Sequence, residues 1–249
     1  MYYVFNLKRF LAWSAIVALC IGLCAGGNKI TQTYKVGTRE IPIYSVERED
    51  DKIALTFNCA WNDSDIDKII EILKKNNVQA TFFLVGDWAE KYPEAASKLD
   101  AAGFEIGNHS YNHAHYSKFS RDEITADMDK CDKVIEDITS KPVKLFRAAY
   151  GEYTDEVVRA CDETGRVYIQ WSADSLDYKA GSAQEIIDRV MKKVNRGDII
   201  LMHNGTKYTA EALETIIPAL SEKYELVSVS ELIYEDDYTI DSTGRQHKN

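Results

Sequence analysis

Short apolar runs alternate with amphipathic helical patterns along most of this chain, and that alternation limits its fold more than any other feature. Residues 53–57 form a buried-strand pattern, and residues 64–75 carry Ile66, Ile69, Ile70 and Leu73 at helical spacing, with Ser64 as the expected cap. Strand patterns follow at 80–85, 104–107, 143–146, 167–172, 199–202 and 226–229. Helical patterns lie between them at 88–102, 121–139, 155–164, 182–195 and 209–223. Gly103, Gly165 and Gly197 close three of the helices, and Ser120 with Glu123 makes a capping box for another. Such alternation requires a parallel sheet with helices outside it. About seven units without a linker-like break predict one α/β domain, a (β/α) barrel that need not be closed.

The two ends differ from this body. Lys8 and Arg9 precede an uncharged stretch, residues 10–25, followed by Gly26 and Gly27. A basic flank, an apolar run and small residues are the layout of an export signal, or of an uncleaved anchor with Lys8 and Arg9 on the cytoplasmic side. Both readings of residues 1–27 place the remainder outside the cytoplasm, in the cell envelope. Residues 28–50 read as a linker with an extended lead-in at 41–46, residues 51–234 as the barrel, and residues 235–249 as a polar tail without fixed structure. The formal net charge of −10 excludes nucleic acid as a partner, because phosphate binding needs a basic face. Cys131 and Cys161 sit in helical patterns as small core residues.

In barrels the chemistry sits at the C-terminal ends of the strands. Asn58 and Cys59 follow the first strand pattern, Asn108 and His109 the third, and Arg147 the fourth. Asp174 and Asp177 follow the fifth, and His203 the sixth. His109 and His113, four apart, would share one face of a helical turn and could grip one metal ion. His115 falls off that face and reads as a bystander. His203 fits a general acid, with Asp177 or Asp174 to orient its imidazole. Arg147 suits holding a carboxylate, and the Tyr150 backbone N–H could point into the site.

The order of these motifs resembles the polysaccharide deacetylase family, the NodB-homology domain of carbohydrate esterases. The family runs T-F-D-D, H-[ST]-x-x-H, R-x-P-[YF], D-x-x-D-W and L-x-H. This chain has TFNC at 56–59, HSYNH at 109–113, RAAY at 147–150, DSLDY at 174–178 and LMH at 201–203. The wording TFNCAW, with GEY after the third motif, is similar to a sporulation-associated subgroup. The resemblance implies a distorted (β/α) barrel that binds Zn²⁺ or a similar divalent ion and removes acetyl groups from an N-acetylated cell-wall polysaccharide. By position it implies His109 and His113 as metal ligands, with Cys59 at the third ligand position. His203 becomes the acid, Asp177 its partner, Arg147 the tether of the base and the Tyr150 N–H an oxyanion donor.

Asn58 stands where the family has its base, and an amide accepts no proton at neutral pH. Losing a general base typically costs about 10²–10⁴ in rate. Cys59 as a thiolate would complete a Cys-His₂ zinc site, or else is a small buried thiol. Asp63 or Asp65 could stand in for a lost carboxylate. Two functions follow as expectations: a metal-dependent deacetylase weakened at Asn58 and Cys59, or a non-catalytic relic that binds glycan in the same groove.

Overall fold

A computed structural model describes residues 41–249. The expected signal or anchor lies outside the described residues. Among the described residues eleven strands and eight α-helices follow one another in chain order. After β1 (Ser45–Val46) and β2 (Lys52–Cys59) come α1 (Ile66–Lys75), β3 (Thr81–Leu84), α2 (Gly86–Lys91), α3 (Pro93–Ala101) and β4 (Glu105–Asn108). Next are α4 (Arg121–Thr139), β5 (Leu145–Phe146), α5 (Asp155–Thr164), β6 (Val167–Tyr168), β7 (Ala173–Asp174) and α6 (Ala183–Lys193). The chain finishes with β8 (Ile199–His203), α7 (Thr209–Ser221), β9 (Glu225–Val227), α8 (Val229–Leu232), β10 (Tyr238–Ile240) and β11 (Arg245–Lys248).

Eight of the strands make one sheet in the order β6-β5-β4-β3-β2-β8-β7, with β9 beside the start of β2. Every pairing in it is parallel. β6 and β7 do not pair, so the barrel stays open there. This is the distorted, incomplete barrel that the alternation called for.

Side chains in β2 alternate between two environments, as strand geometry requires. Ile53, Leu55, Phe57 and Cys59 join the large apolar cluster under the helices, together with Ile66, Ile69 and Leu73 of α1. Thr56 and Asn58 face the other way and are buried too. The interior of the sheet therefore carries a polar row, and only a polar partner can satisfy it.

Helix ends follow their chemistry. Ser120 and Glu123 form the expected capping box on α4, and Gly165 closes α5 with a left-handed φ of 71°. The helix expected at 88–102 is broken in two, because Pro93 has no N–H to continue α2 and instead starts α3 at its first turn. α1 begins after Asp65, not Ser64, whose N–H and hydroxyl both turn back to the Asn62 side chain.

The polar tail is a correction. Residues 235–249 hold β10 and β11, an antiparallel pair that joins β1 through β11. Hydrogen bonding explains the order despite the polarity. The Gln246 side chain is fully buried and bonds the backbone of Tyr234 at both ends, at 2.9 and 2.8 Å. Asp241 accepts from the amides of Thr243 and Arg245 at the turn, and Gly244 (φ 80°) packs so closely on Tyr44 that no side chain fits there. His247 then links the hairpin to the lead-in, 3.0 Å from Asp241 and 2.8 Å from Glu47. Its hydrogen bonds to Asp241 and Glu47 raise its pKa above the ordinary 6.5. A raised histidine contributes stability that is fully present below its unfolded pKa and is lost as pH rises through the folded one. An NMR titration of the His247 ring is expected to give a midpoint above 6.5, lowered in Asp241→Asn but still raised by Glu47.

Candidate active site

Asn58 and His203 are direct neighbours in the sheet, paired in register on β2 and β8. Arg147, just past β5, reaches in from across the barrel interior and is completely buried. Its Nη1 donates to Thr56 Oγ1 at 2.9 Å and to Asn58 Oδ1 at 3.0 Å, and its Nη2 to the Gln170 carbonyl at 3.0 Å. The guanidinium stacks 4.0 Å from the Phe83 ring. No carboxylate is among these partners, and burial pushes Arg147 down to about 9. A guanidinium only donates, so the Asn58 oxygen must face it and the NH₂ group must face away. Arg147 is thus tied to Asn58, and the group it holds is an amide.

The two histidines lie in a loop after β4, not on a helical turn. The correction has a local cause: Ser110 and His113 both take left-handed backbone, with φ of 65° and 57°, which no helix allows. The Asn108 side chain builds the turn, donating to the Met128 carbonyl and to Asp132 and accepting from the Ser110 amide. His109 Nδ1 lies 2.7 Å from the Arg147 carbonyl, which can only accept, so Nδ1 carries the proton and Nε2 is a free lone pair. Burial, and then the neighbouring His113, hold the imidazole well below its ordinary pKa of 6.5. The rings of His109 and His113 stand 5.1 Å apart. Burial, then His203 and His115, also lower the pKa of His113.

Opposite them, Asp177 is buried and fixes His203. Its Oδ1 lies 2.8 Å from His203 Nδ1 and accepts from the Tyr178 amide, while Oδ2 accepts from the His203 amide and Thr209 Oγ1, each at 2.7 Å. Asp174 only closes a local turn on Leu176. Asp177 is therefore the orienting carboxylate among the two considered.

Tyr150 sits in a 3-10 turn with φ 60° and ψ 5°. Its ring is 4.4 Å from His113 and stacks on His115 at 4.0 Å and 6°. The Nδ1 of His115 lies 2.7 Å from Glu152.

Cys59 is placed elsewhere. β2 continues through it, so strand alternation points it to the face opposite Asn58, into the apolar cluster. Burial, then Asp65, push its thiol well above the usual range. Among the described residues no three His, Cys, Asp or Glu side chains converge on one point. Asp65 accepts the Gly205 amide at 2.9 Å and, like Asp63, joins no such cluster.

His109 and His113 nevertheless suit a divalent ion. Four buried side-chain polar atoms among the described residues lack a partner, namely His109 Nε2, Ser110 Oγ, Arg147 Nε and Asn204 Oδ1. All four belong to the motif loops or their next residues, and interiors leave such atoms bare mainly where something binds. Sequence reasoning missed Thr56, Thr209 and Trp61. Trp61 had a readable signal, a large aromatic in the otherwise polar loop after β2. The residue is 48% exposed and its ring stands 5.3 Å from the His203 ring.

A family model described as polysaccharide deacetylase matches residues 45–169. The chain is 33% identical over 176 residues to a peptidoglycan-N-acetylglucosamine deacetylase of Bacillus cereus, covering 69% of this chain and 64% of that one. The crystal structure of a CE4 family pseudoenzyme from Bacillus anthracis superposes with a TM-score of 0.75 at 36% identity, over 84% of this chain and 73% of that one. A mutant described as a CE4 family pseudoenzyme with restored enzymatic activity gives 0.75 at 38%, over 78% and 71%. The chain spans between 44% and 64% of the length of the first curated relatives it matches. The motif order, the open parallel barrel and these likenesses agree, and the chain belongs to the polysaccharide deacetylase family.

Proposed function

We propose that this chain hydrolyses the N-acetyl group of a cell-envelope amino-sugar polymer, slowly, because Asn58 stands in place of a base. The observation that carries the reading is the pair of opposed, preset imidazoles. His109 offers an unprotonated Nε2 beside His113, and His203 is held by Asp177 across from them. A divalent ion held by His109 and His113, Zn²⁺ by the chemistry of an imidazole pair, would supply Lewis acidity toward the acetamide carbonyl. Asp177 accepts from His203 Nδ1 and stabilises the imidazolium, so that Nε2 can pass its proton to the departing amine. The Tyr150 amide, turned by its left-handed backbone, serves as a donor to the oxyanion. The cell-wall location follows from the residue 1–27 reading and from what the Bacillus cereus relative's name says it acts on.

The second reading, glycan binding without turnover, is favoured by one observation: Arg147 locks the Asn58 oxygen away, leaving only a donor NH₂ toward the site. Acetate release from N-acetylated peptidoglycan, with zinc content measured on the same sample, separates the two. Zinc affinity is expected to fall more than about 100-fold in His109→Ala and to stay within about threefold in Cys59→Ala. Acetate release should disappear in His109→Ala. Bound zinc with no acetate from any N-acetylated glycan would leave the binding reading in its place.

A further inference from the structure

We infer that His115, clamped by Glu152, is a positioning residue that presets the Tyr150 amide for the oxyanion. The inference rests on the deacetylase reading above and adds what holds its donor in place. Neither His115 nor Glu152 lies within the five motifs that carry the family resemblance.

Seven non-glycine residues take positive φ among the described residues, and Tyr150, at 60°, is the bulkiest of them. A bulky side chain seldom adopts such a backbone unless its surroundings dictate it. Burial does not dictate it here, because Tyr150 is 57% exposed. Gly151 follows at φ 68°, and a Cβ there would meet the Trp171 ring at 2.7 Å, so two left-handed residues stand in succession. A passage into left-handed backbone turns successive amides to one side, as in anion-binding nests.

A circuit of contacts fixes the tyrosine. Its ring lies flat on His115, with centroids 4.0 Å apart and planes within 6°, and meets His113 edge-on at 4.4 Å. His115 Nδ1 donates to Glu152 Oε1 at 2.7 Å, and Ser117 Oγ donates to Glu152 Oε2 at 2.9 Å. The Glu152 backbone is fixed as well. Its carbonyl accepts from the Tyr168 hydroxyl at 2.6 Å, and its amide donates to the Ala149 carbonyl at 3.2 Å. The contacts run from Tyr150 through His115 and Glu152 and back to the same turn. His115 touches both the tyrosine ring and the carboxylate, so its removal opens the circuit. An amide set in advance needs no reorganisation when the oxyanion forms.

The test pairs NMR with kinetics on the full chain. The nuclear Overhauser effect between an amide proton and its own Hα is strongest at positive φ, and reading it needs neither metal nor substrate. At Tyr150 it is expected to fall by about twofold or more in His115→Ala, as the residue returns to ordinary backbone. In the Asn58→Asp background, His115→Ala should lower kcat for N-acetylated chitotetraose by about tenfold or more, with KM within about twofold and zinc content unchanged. Glu152→Ala should match it, and Glu152→Gln, which still accepts from His115, should restore most of the loss. His115 and Tyr150 are both exposed, so these variants open little of the core and should fold. An unchanged Tyr150 signal in His115→Ala overturns the clamp. A changed signal with unchanged kcat, or a loss confined to KM, overturns the positioning role. A Tyr150 signal that depends on His115, in a chain that never releases acetate even as Asn58→Asp, removes the deacetylase reading while the clamp stands.

Discussion

Acetate release from N-acetylated chitotetraose is expected to rise by about 10²–10⁴-fold when Asn58 is replaced by aspartate. His109, His113, Arg147 and the His203–Asp177 pair already surround the position, and Asn58 offers them no base. Arg147 Nη1 lies 3.0 Å from Asn58 Oδ1, and a carboxylate of the same shape would accept that bond with one oxygen. Its other oxygen would take the place of the NH₂ and present an acceptor where the native chain presents a donor. The electrostatics favour the exchange. Burial has pushed Arg147 down to about 9 because no carboxylate accompanies it, and an aspartate would give this buried cation its missing counter-ion. Thermal stability should therefore hold or rise in Asn58→Asp, and Asn58→Ala should gain no activity. An Asn58→Asp chain that folds and takes up zinc but hydrolyses no faster would mean that the base lies elsewhere.

The largest loss is expected at Asp177. Its two buried oxygens receive the His203 ring, the His203 amide, the Tyr178 amide and the Thr209 hydroxyl. Asp177→Ala leaves these donors without a partner in a place water does not freely reach, for a cost of about 3–5 kcal/mol. For a domain of this size the melting temperature should fall by roughly 6–20 °C. Asp177→Asn keeps the shape and should lose less stability, yet its NH₂ opposes one of the donors and disturbs the His203 tautomer. Measured in the Asn58→Asp background, where turnover is easiest to read, Asp177→Asn should still lower acetate release by about 10²-fold or more. Wild-type stability in Asp177→Ala would show that the four donors find other partners.

The fold was legible because hydrophobic period carries it. Ile53, Leu55 and Phe57 announce a strand, and Ile66, Ile69 and Leu73 announce a helix, whatever the loops do. Residues that close strands were legible for the same reason, and Asn58, His109, Arg147 and His203 all fall at the strand ends that the pattern marks. What failed depended on a single residue of register or on backbone sign. Cys59 shares the apolar face of Phe57 because β2 runs two residues further than its apolar run. The two-histidine loop depends on positive φ at Ser110 and His113, which side-chain type does not signal as glycine does. Pro93 was a visible helix break, and the pattern of 88–102 ran across it. The tail misled through composition, since Gln246 and Asp241 are polar but spend their polarity on backbone groups.

That hairpin bears on where the domain stops. Trimming the chain after Tyr234, where every motif is already complete, would strip Gln246 from the Tyr234 backbone and leave β1 with a bare row of amides and carbonyls. An open strand edge of this kind recruits other copies of the same chain. Truncation chosen by conserving the chemistry alone would thus invite self-association, because β10 and β11 act as the stopper of the sheet they complete.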